Sequence, residues 1–398
     1  MLRMHQRFGL ILIVIAILIV GGVLYVNSAA RQSQPVFSDN AQLSALWKVS
    51  KTNTLDATSG RTIDKTQKNL TTSEGESYTL LRAVWNDDRT TFDKSLGFTN
   101  DNLRRTDGLF AWRYGDLGGG KYGILTAEGG DNTASDADAD IAMALSFAAT
   151  RWQDEKYLAQ ARATVQAIWT QEVVTIQGKP YVVSNNLEKD NPSTVLINPS
   201  YLSPAAYRIF AKIDKLHDWN AVLDSSYTLL DRVTNKTLAG QLSVGLPPDW
   251  IIMDRKTSVL TAPTATNITT NYSYDAMRTP FRLTLDYEWN QEPRAKAVLS
   301  KMSFLGQQWT KNQVIKAGYS QGGAVSADYE SPAIYGASSA YFKVIDTANY
   351  EALYKTKLQV LYSANTQSWK DQLQYYDDNW VWFAMALHDN YLTDLTRT

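Results

Sequence analysis

The chain of 398 residues contains no cysteine. Disulfide frameworks and thiolate metal sites are therefore excluded. Histidine is nearly as scarce, with only His5, His217 and His388. Three such scattered residues argue against a multi-histidine metal centre. A Ser-His-Asp triad would need His217 or His388, and no Gly-x-Ser-x-Gly elbow accompanies either. An excess of charge is missing too: 39 Lys and Arg stand against 40 Asp and Glu. That balance gives no reason to expect nucleic acid as a partner, and no metal or other cofactor is expected.

Aromatic residues are abundant instead, with 12 Trp, 22 Tyr and 11 Phe. Flat faces with polar tips suit sugar rings as well as a packed core. One long apolar run is present, the 19 residues Phe8 to Val26. It is long enough to cross a bilayer as a helix, and Arg3 and Arg7 before it place the N-terminus in the cytoplasm. The sequence thus predicts a membrane anchor over 1–26, a polar tether over 27–37, and one domain over 38–398 outside the cytoplasm. A cleaved signal peptide ending near Ala30 is the alternative.

Periodicity after the tether is mainly helical. Helices are predicted near 39–49, 74–88, 90–105, 134–152, 155–170, 203–213, 218–235, 275–289, 292–309, 331–344, 347–357 and 377–391. Twelve helices in one domain suggest six helical hairpins closed into a toroid, an all-α (α/α)6 barrel. Polar inserts over 112–133 and 240–272 interrupt the helices.

Three acidic clusters stand at predicted helix starts. In Thr72-Ser73-Glu74-Gly75-Glu76-Ser77-Tyr78, Ser73 and Glu76 have the spacing of a capping box. Glu74 has no such structural purpose. In Ala134-Ser135-Asp136-Ala137-Asp138-Ala139-Asp140-Ile141, Asp136 and Asp140 share one helix face and Asp138 points elsewhere. A calcium loop fails there, because Ile141 stands where glycine is required and Phe147 where a bidentate Glu is required. In Tyr272-Ser273-Tyr274-Asp275-Ala276-Met277-Arg278, Asp275 precedes a helix and has Arg278 three residues on. Carboxylates that converge at one barrel mouth would suit glycoside cleavage, which needs an acid for the leaving oxygen and a base for water. Trp85, Trp112, Tyr114, Tyr201, Trp250 and Tyr274 lie near the same ends and could stack on sugars.

These segments, with Asn198–Ala211 ("NPSYLSPAAYRIFA") and Leu246–Trp250 ("LPPDW"), occur in the order found in glycoside hydrolase family 8. The chain resembles that family over about 37–391. The family holds bacterial endoglucanases, cellulases of cellulose-synthesis operons, chitosanases and xylan-active enzymes. The resemblance implies the (α/α)6 barrel and an inverting mechanism. The general acid falls on Glu74, the general base on Asp275, and Asp136 would hold and distort the sugar. Asp138 and Arg278 would join the aromatic residues in binding substrate. Thr79 replaces the usual glycine of the first motif, and Met277 is unusual in the third. The expected partners are a polysaccharide, the bacterial cytoplasmic membrane and the machinery of exopolysaccharide synthesis. A chitosanase, xylanase or mixed-linkage glucanase is the alternative within the family. A non-catalytic glycan-binding part of a polysaccharide export system is the alternative outside it.

Overall fold

The computed structural model describes residues 40–397. The apolar run Phe8–Val26 and the tether lie outside the described residues. Among the described residues, no helix is long and apolar enough to cross a membrane.

Six helices form the inner ring: α2 (Ser73–Trp85), α4 (Ser135–Trp152), α6 (Pro204–Ile213), α8 (Arg278–Asn290), α11 (Pro332–Ile345) and α13 (Tyr375–His388). Among the described residues seven others lie outside it: α1 (Ala41–Thr54), α3 (Arg89–Asn102), α5 (Glu155–Glu172), α7 (Trp219–Val233), α9 (Pro293–Lys301), α10 (Ser303–Asn312) and α12 (Thr347–Leu353). Around the ring α2 packs on α4, α4 on α6, α6 on α8, α8 on α11, and α11 on α13. Tyr78 of α2 meets Trp380 and Phe383 of α13 edge to face and closes the circle.

Composition explains which helices go inside. Every residue of α4 from Ser135 to Ala148 is buried, and its many alanines let neighbours approach on all sides. In α11, a Cβ at Gly336 would stand 2.4 Å from the Trp380 carbonyl oxygen. Only glycine permits that approach to α13. The outer helices carry polar faces and bury one stripe.

Two expectations are corrected. The helix predicted over 292–309 is broken at Met302 into α9 and α10. The Gly245 backbone presses on the Lys301 carbonyl there, leaving no room even for a Cβ. The helix predicted from 275 begins at Arg278, and Asp275 lies on the preceding turn.

The polar inserts fold as small sheets beside the barrel mouth. Arg113–Gly118 and Lys121–Ile124 form a hairpin that pairs with Thr71–Thr72, the step just before α2. Ile251–Asp254 pairs with Thr194–Ile197, Ile251 opposite Ile197. That register sets Trp250 beside the turn that carries Tyr201.

Candidate active site

The inner helices present their N-termini at one end, and the acidic motifs meet there. Thr72 caps α2 by accepting the Gly75 N–H at 3.0 Å. Glu74 thus enters the first turn with its side chain free of capping. The expected Ser73–Glu76 capping box does not form. Glu76 is buried and turns outward, accepting from the Thr62 N–H at 2.7 Å and the Ser95 hydroxyl at 2.5 Å. It straps the 62 loop and α3 to α2. The glycine between the two glutamates has a spatial cause: a Cβ at Gly75 would lie 2.9 Å from the Tyr375 hydroxyl.

Arg278 is the centre of the site. It is almost completely buried, and its fork reaches all three motifs. Nη1 donates to Glu74 Oε2 at 2.6 Å and to Asp136 Oδ2 at 2.8 Å. Nη2 donates to Asp275 Oδ1 at 2.6 Å. The Tyr201 ring lies 5.1 Å from the guanidinium and meets Trp250 edge-on. The Trp250 indole N–H donates to Asp275 Oδ2 at 3.0 Å. Asp275 and Glu74 keep side-chain exposures of 32% and 23%, against 3% for Asp136. The first two therefore face the cleft, and Asp136 supports them from the wall.

One cation cannot neutralise three carboxylates. Burial chiefly pushes the Glu74 carboxyl up to about 7. Arg278 opposes that rise, while Asp136 and Asp275 reinforce it. Burial likewise raises Asp136, against the pull of Arg278 and Arg282. Glu74 thus holds a proton near neutral pH in a position open to the cleft. That is the state a general acid requires.

The remaining acidic residues of α4 divide by face. Asp140 forms a two-pronged ion pair with Arg282, at 2.7 and 2.9 Å. Asp138 is fully buried and does not face the cleft, contrary to expectation. One of its oxygens accepts the Phe110 N–H at 3.1 Å, and the carboxyl pairs with Glu172. Burial and the Glu172 charge hold Asp138 well above the usual carboxyl range.

The aromatic residues also separate. Tyr274 lines a cavity of about 330 Å³ beside Glu74, with Asp64, Gln67, Tyr375 and Tyr376. The Tyr376 hydroxyl donates to the Tyr274 carbonyl at 2.9 Å. Trp112 lies at the start of the hairpin, its indole N–H on the Gly129 carbonyl at 2.8 Å. Tyr114 packs against Phe98, Tyr122 and Arg61. Trp85 is corrected. It ends α2 eleven residues beyond Glu74, about 16 Å along the helix. There it is buried against Phe147 and Phe383 and bonds the Thr393 carbonyl. It belongs to the plug at the opposite end of the barrel.

Sequence reasoning missed Tyr375 and Tyr376. Their signal was present as a Tyr-Tyr-Asp-Asp run opening the last inner helix. The helix predicted over 377–391 begins just after the two tyrosines and leaves them out.

The same fold is found in the endo-1,4-D-glucanase of Vibrio fischeri ES114. The TM-score is 0.70 at 22% identity, covering 87% of this chain and 94% of that one. The β-1,3-1,4-glucanase of Paenibacillus sp.X4 gives 0.72 at 21% identity, covering 90% and 92%. A helical barrel with paired carboxylates at its mouth offers the acid and the base that glycoside cleavage needs. The model of glycosyl hydrolases family 8 matches residues 22–374. The chain belongs to that family and is a glycosidase. Endoglucanase A of Acetivibrio thermocellus is 26% identical over 387 residues, which are 90% of this chain and 76% of that protein. In two further curated endoglucanases the match spans 57% and 51% of their length.

Proposed function

We propose that the protein is an endo-acting hydrolase of a β-linked glucan, with β-1,4 linkages as the first choice. The observation that carries this reading is the single Arg278 fork holding Glu74, Asp136 and Asp275 at one barrel mouth. Glu74 is the general acid. It gives its proton to the glycosidic oxygen as the bond from that oxygen to the anomeric carbon breaks. Asp275 is the general base. It takes a proton from water while the water oxygen bonds the anomeric carbon from the opposite face. Asp136 holds the sugar ring at the cleavage point, and Tyr201, Trp250 and Tyr274 supply faces for neighbouring sugars. Arg278 holds the two reacting carboxyls on separate nitrogens of one fork, and inversion is the outcome this acid–base pair requires, with a water between them. The names of the relatives, endoglucanase above all, support the glucan.

The run Phe8–Val26 behind Arg3 and Arg7 supports anchoring in the cytoplasmic membrane, with the barrel outside. A tethered hydrolase there acts on the cell's own exopolysaccharide beside the machinery that makes it.

The test is to incubate the enzyme with cellulosic, mixed-linkage, xylan and chitosan substrates and to follow the new reducing ends by NMR. Inversion yields the α-anomer first from a β-linked chain. A β-anomer would replace Asp275 as base by a nucleophile, and turnover surviving in Glu74→Gln would remove Glu74 as the acid.

A further inference from the structure

The motif Leu246-Pro247-Pro248-Asp249-Trp250 contributes no reacting group, yet it grips the turn that carries Asp275 along its whole length. On the backbone, the Asp249 N–H donates to the Asn271 carbonyl at 2.6 Å, and the Trp250 N–H to the Thr269 carbonyl at 3.1 Å. Asp249 is 4% exposed. Its Oδ1 accepts the N–H groups of Ser273 at 3.1 Å and Ala276 at 2.8 Å. Its Oδ2 accepts the Ser273 hydroxyl. The turn is closed beneath by the Met277 N–H on the Ser273 carbonyl at 3.0 Å. Asp249 thus holds the residues on both sides of Asp275, and the adjacent Trp250 holds Asp275 itself.

We infer that Asp249 is a positioning residue for Asp275: its carboxylate clamps the turn 273–277 so that the Asp275 carboxyl faces the cleft. This rests on Asp275 being the base. A buried carboxyl beside a reacting one is a costly way to cap a turn, because an asparagine or serine caps turns without a buried charge. Here all three side-chain bonds arrive from donors, and a carboxylate accepts them on both oxygens. Asparagine in the same place would turn an N–H₂ group toward one set of donors. Burial first, and the Asp275 charge second, oppose ionisation of the Asp249 carboxyl and push it up to about 7, so the clamp is complete on the alkaline side of neutrality. Tyr272 also feels this charge.

Asp275 acts on water, so a loosened turn should damage turnover and spare sugar binding. The experiment measures kcat and KM on a soluble β-1,4-glucan for the full-length wild type, Asp249→Asn and Ser273→Ala, with melting curves for each. Asp249→Asn is expected to lower kcat by about 10- to 100-fold with KM within about twofold, the scale of an ångström of misplacement. Ser273→Ala removes one strap and keeps the charge, and is expected to show the same split with a smaller loss. A folded Asp249→Asn with wild-type kcat overturns the assignment, as does a KM that rises while kcat holds. Should Asp249→Asn fail to fold, wild-type kcat in Ser273→Ala overturns it alone. A wild type that cleaves no β-glucan overturns the functional reading instead, before any variant is compared.

Discussion

A guanidinium offers donors in a rigid planar fork, and Arg278 uses that fork to serve three carboxylates at once. Lysine would bring the same charge as a point and could not hold Glu74 and Asp275 in fixed relation. Arg278→Lys is therefore expected to lower kcat/KM by about 100-fold or more in a turnover assay. The charge around the fork also sets the working pH. Asp136 raises Glu74 by like-charge repulsion, so removing that charge makes Glu74 lose its proton earlier. In Asp136→Asn the basic limb of the kcat/KM profile should move to lower pH; a limb that stays in place would count against this coupling. Some of this was legible beforehand. The i, i+4 spacing of Asp136 and Asp140 put them on one face, and they do address Arg278 and Arg282 along one side of α8. The distance of Trp85 from the site was legible too, since eleven residues of one helix carry it about 16 Å from Glu74; what it packs against was not.

At the scale of the element, the first turn of α2 shows local preference giving way to packing. Alanine is a better helix former than glycine by about 1 kcal/mol. Helix physics alone would make Gly75→Ala stabilising. The structure says otherwise, because the new methyl group meets the Tyr375 hydroxyl at 2.9 Å. Gly75→Ala is expected to show no rise in melting temperature and a roughly tenfold loss of kcat, as Glu74 and Tyr375 are pushed out of register. Tyr375→Phe removes the clashing oxygen, so the double variant should recover most of the loss. Equal activity in the two Gly75→Ala backgrounds would refute the contact. The break between α9 and α10 belongs to this scale too. Residues 292–309 read as one helix by periodicity, and the break at Met302 falls where the Gly245 backbone lies against the Lys301 carbonyl.

For the whole molecule the demanding step is closing the ring, since its first and last helices are far apart in the chain. Arg82 of α2 performs much of it. It donates to Asp378 at 2.8 Å, to Asn379 at 2.9 Å and to Ser50 at 2.9 Å. Its guanidinium lies between the rings of Trp47 and Trp382. Asp378→Ala would leave this buried cation unpaired and should cost about 3–5 kcal/mol in denaturant unfolding. A loss near zero would mean the rings alone hold the closure. Buried acids also tie stability to pH. Burial lifts Glu74, Glu76 and Asp249 to about 7 and Glu172 to about 8. Each binds its proton more tightly folded than unfolded. Their contribution is complete below the ordinary carboxyl range and is lost as pH rises through 7 to 8. The melting temperature should therefore fall from pH 5.5 to pH 8.5. Glu76→Gln, which lies off the reacting centre, should flatten that fall; an unchanged slope would exclude Glu76 as a cause.

The helical period and two of the three acidic helix starts were set by residues a few positions apart, while Asp275 sits on the turn before its helix. The sequence also carried the family, through motifs whose order survives without a fold. Only the tertiary structure decided that one arginine joins all three motifs, that Asp138 faces Glu172 and not the cleft, and that Glu76 straps α3. Those outcomes depend on which surfaces meet when distant helices pack, and burial created by that packing is what sets the charge on Glu74.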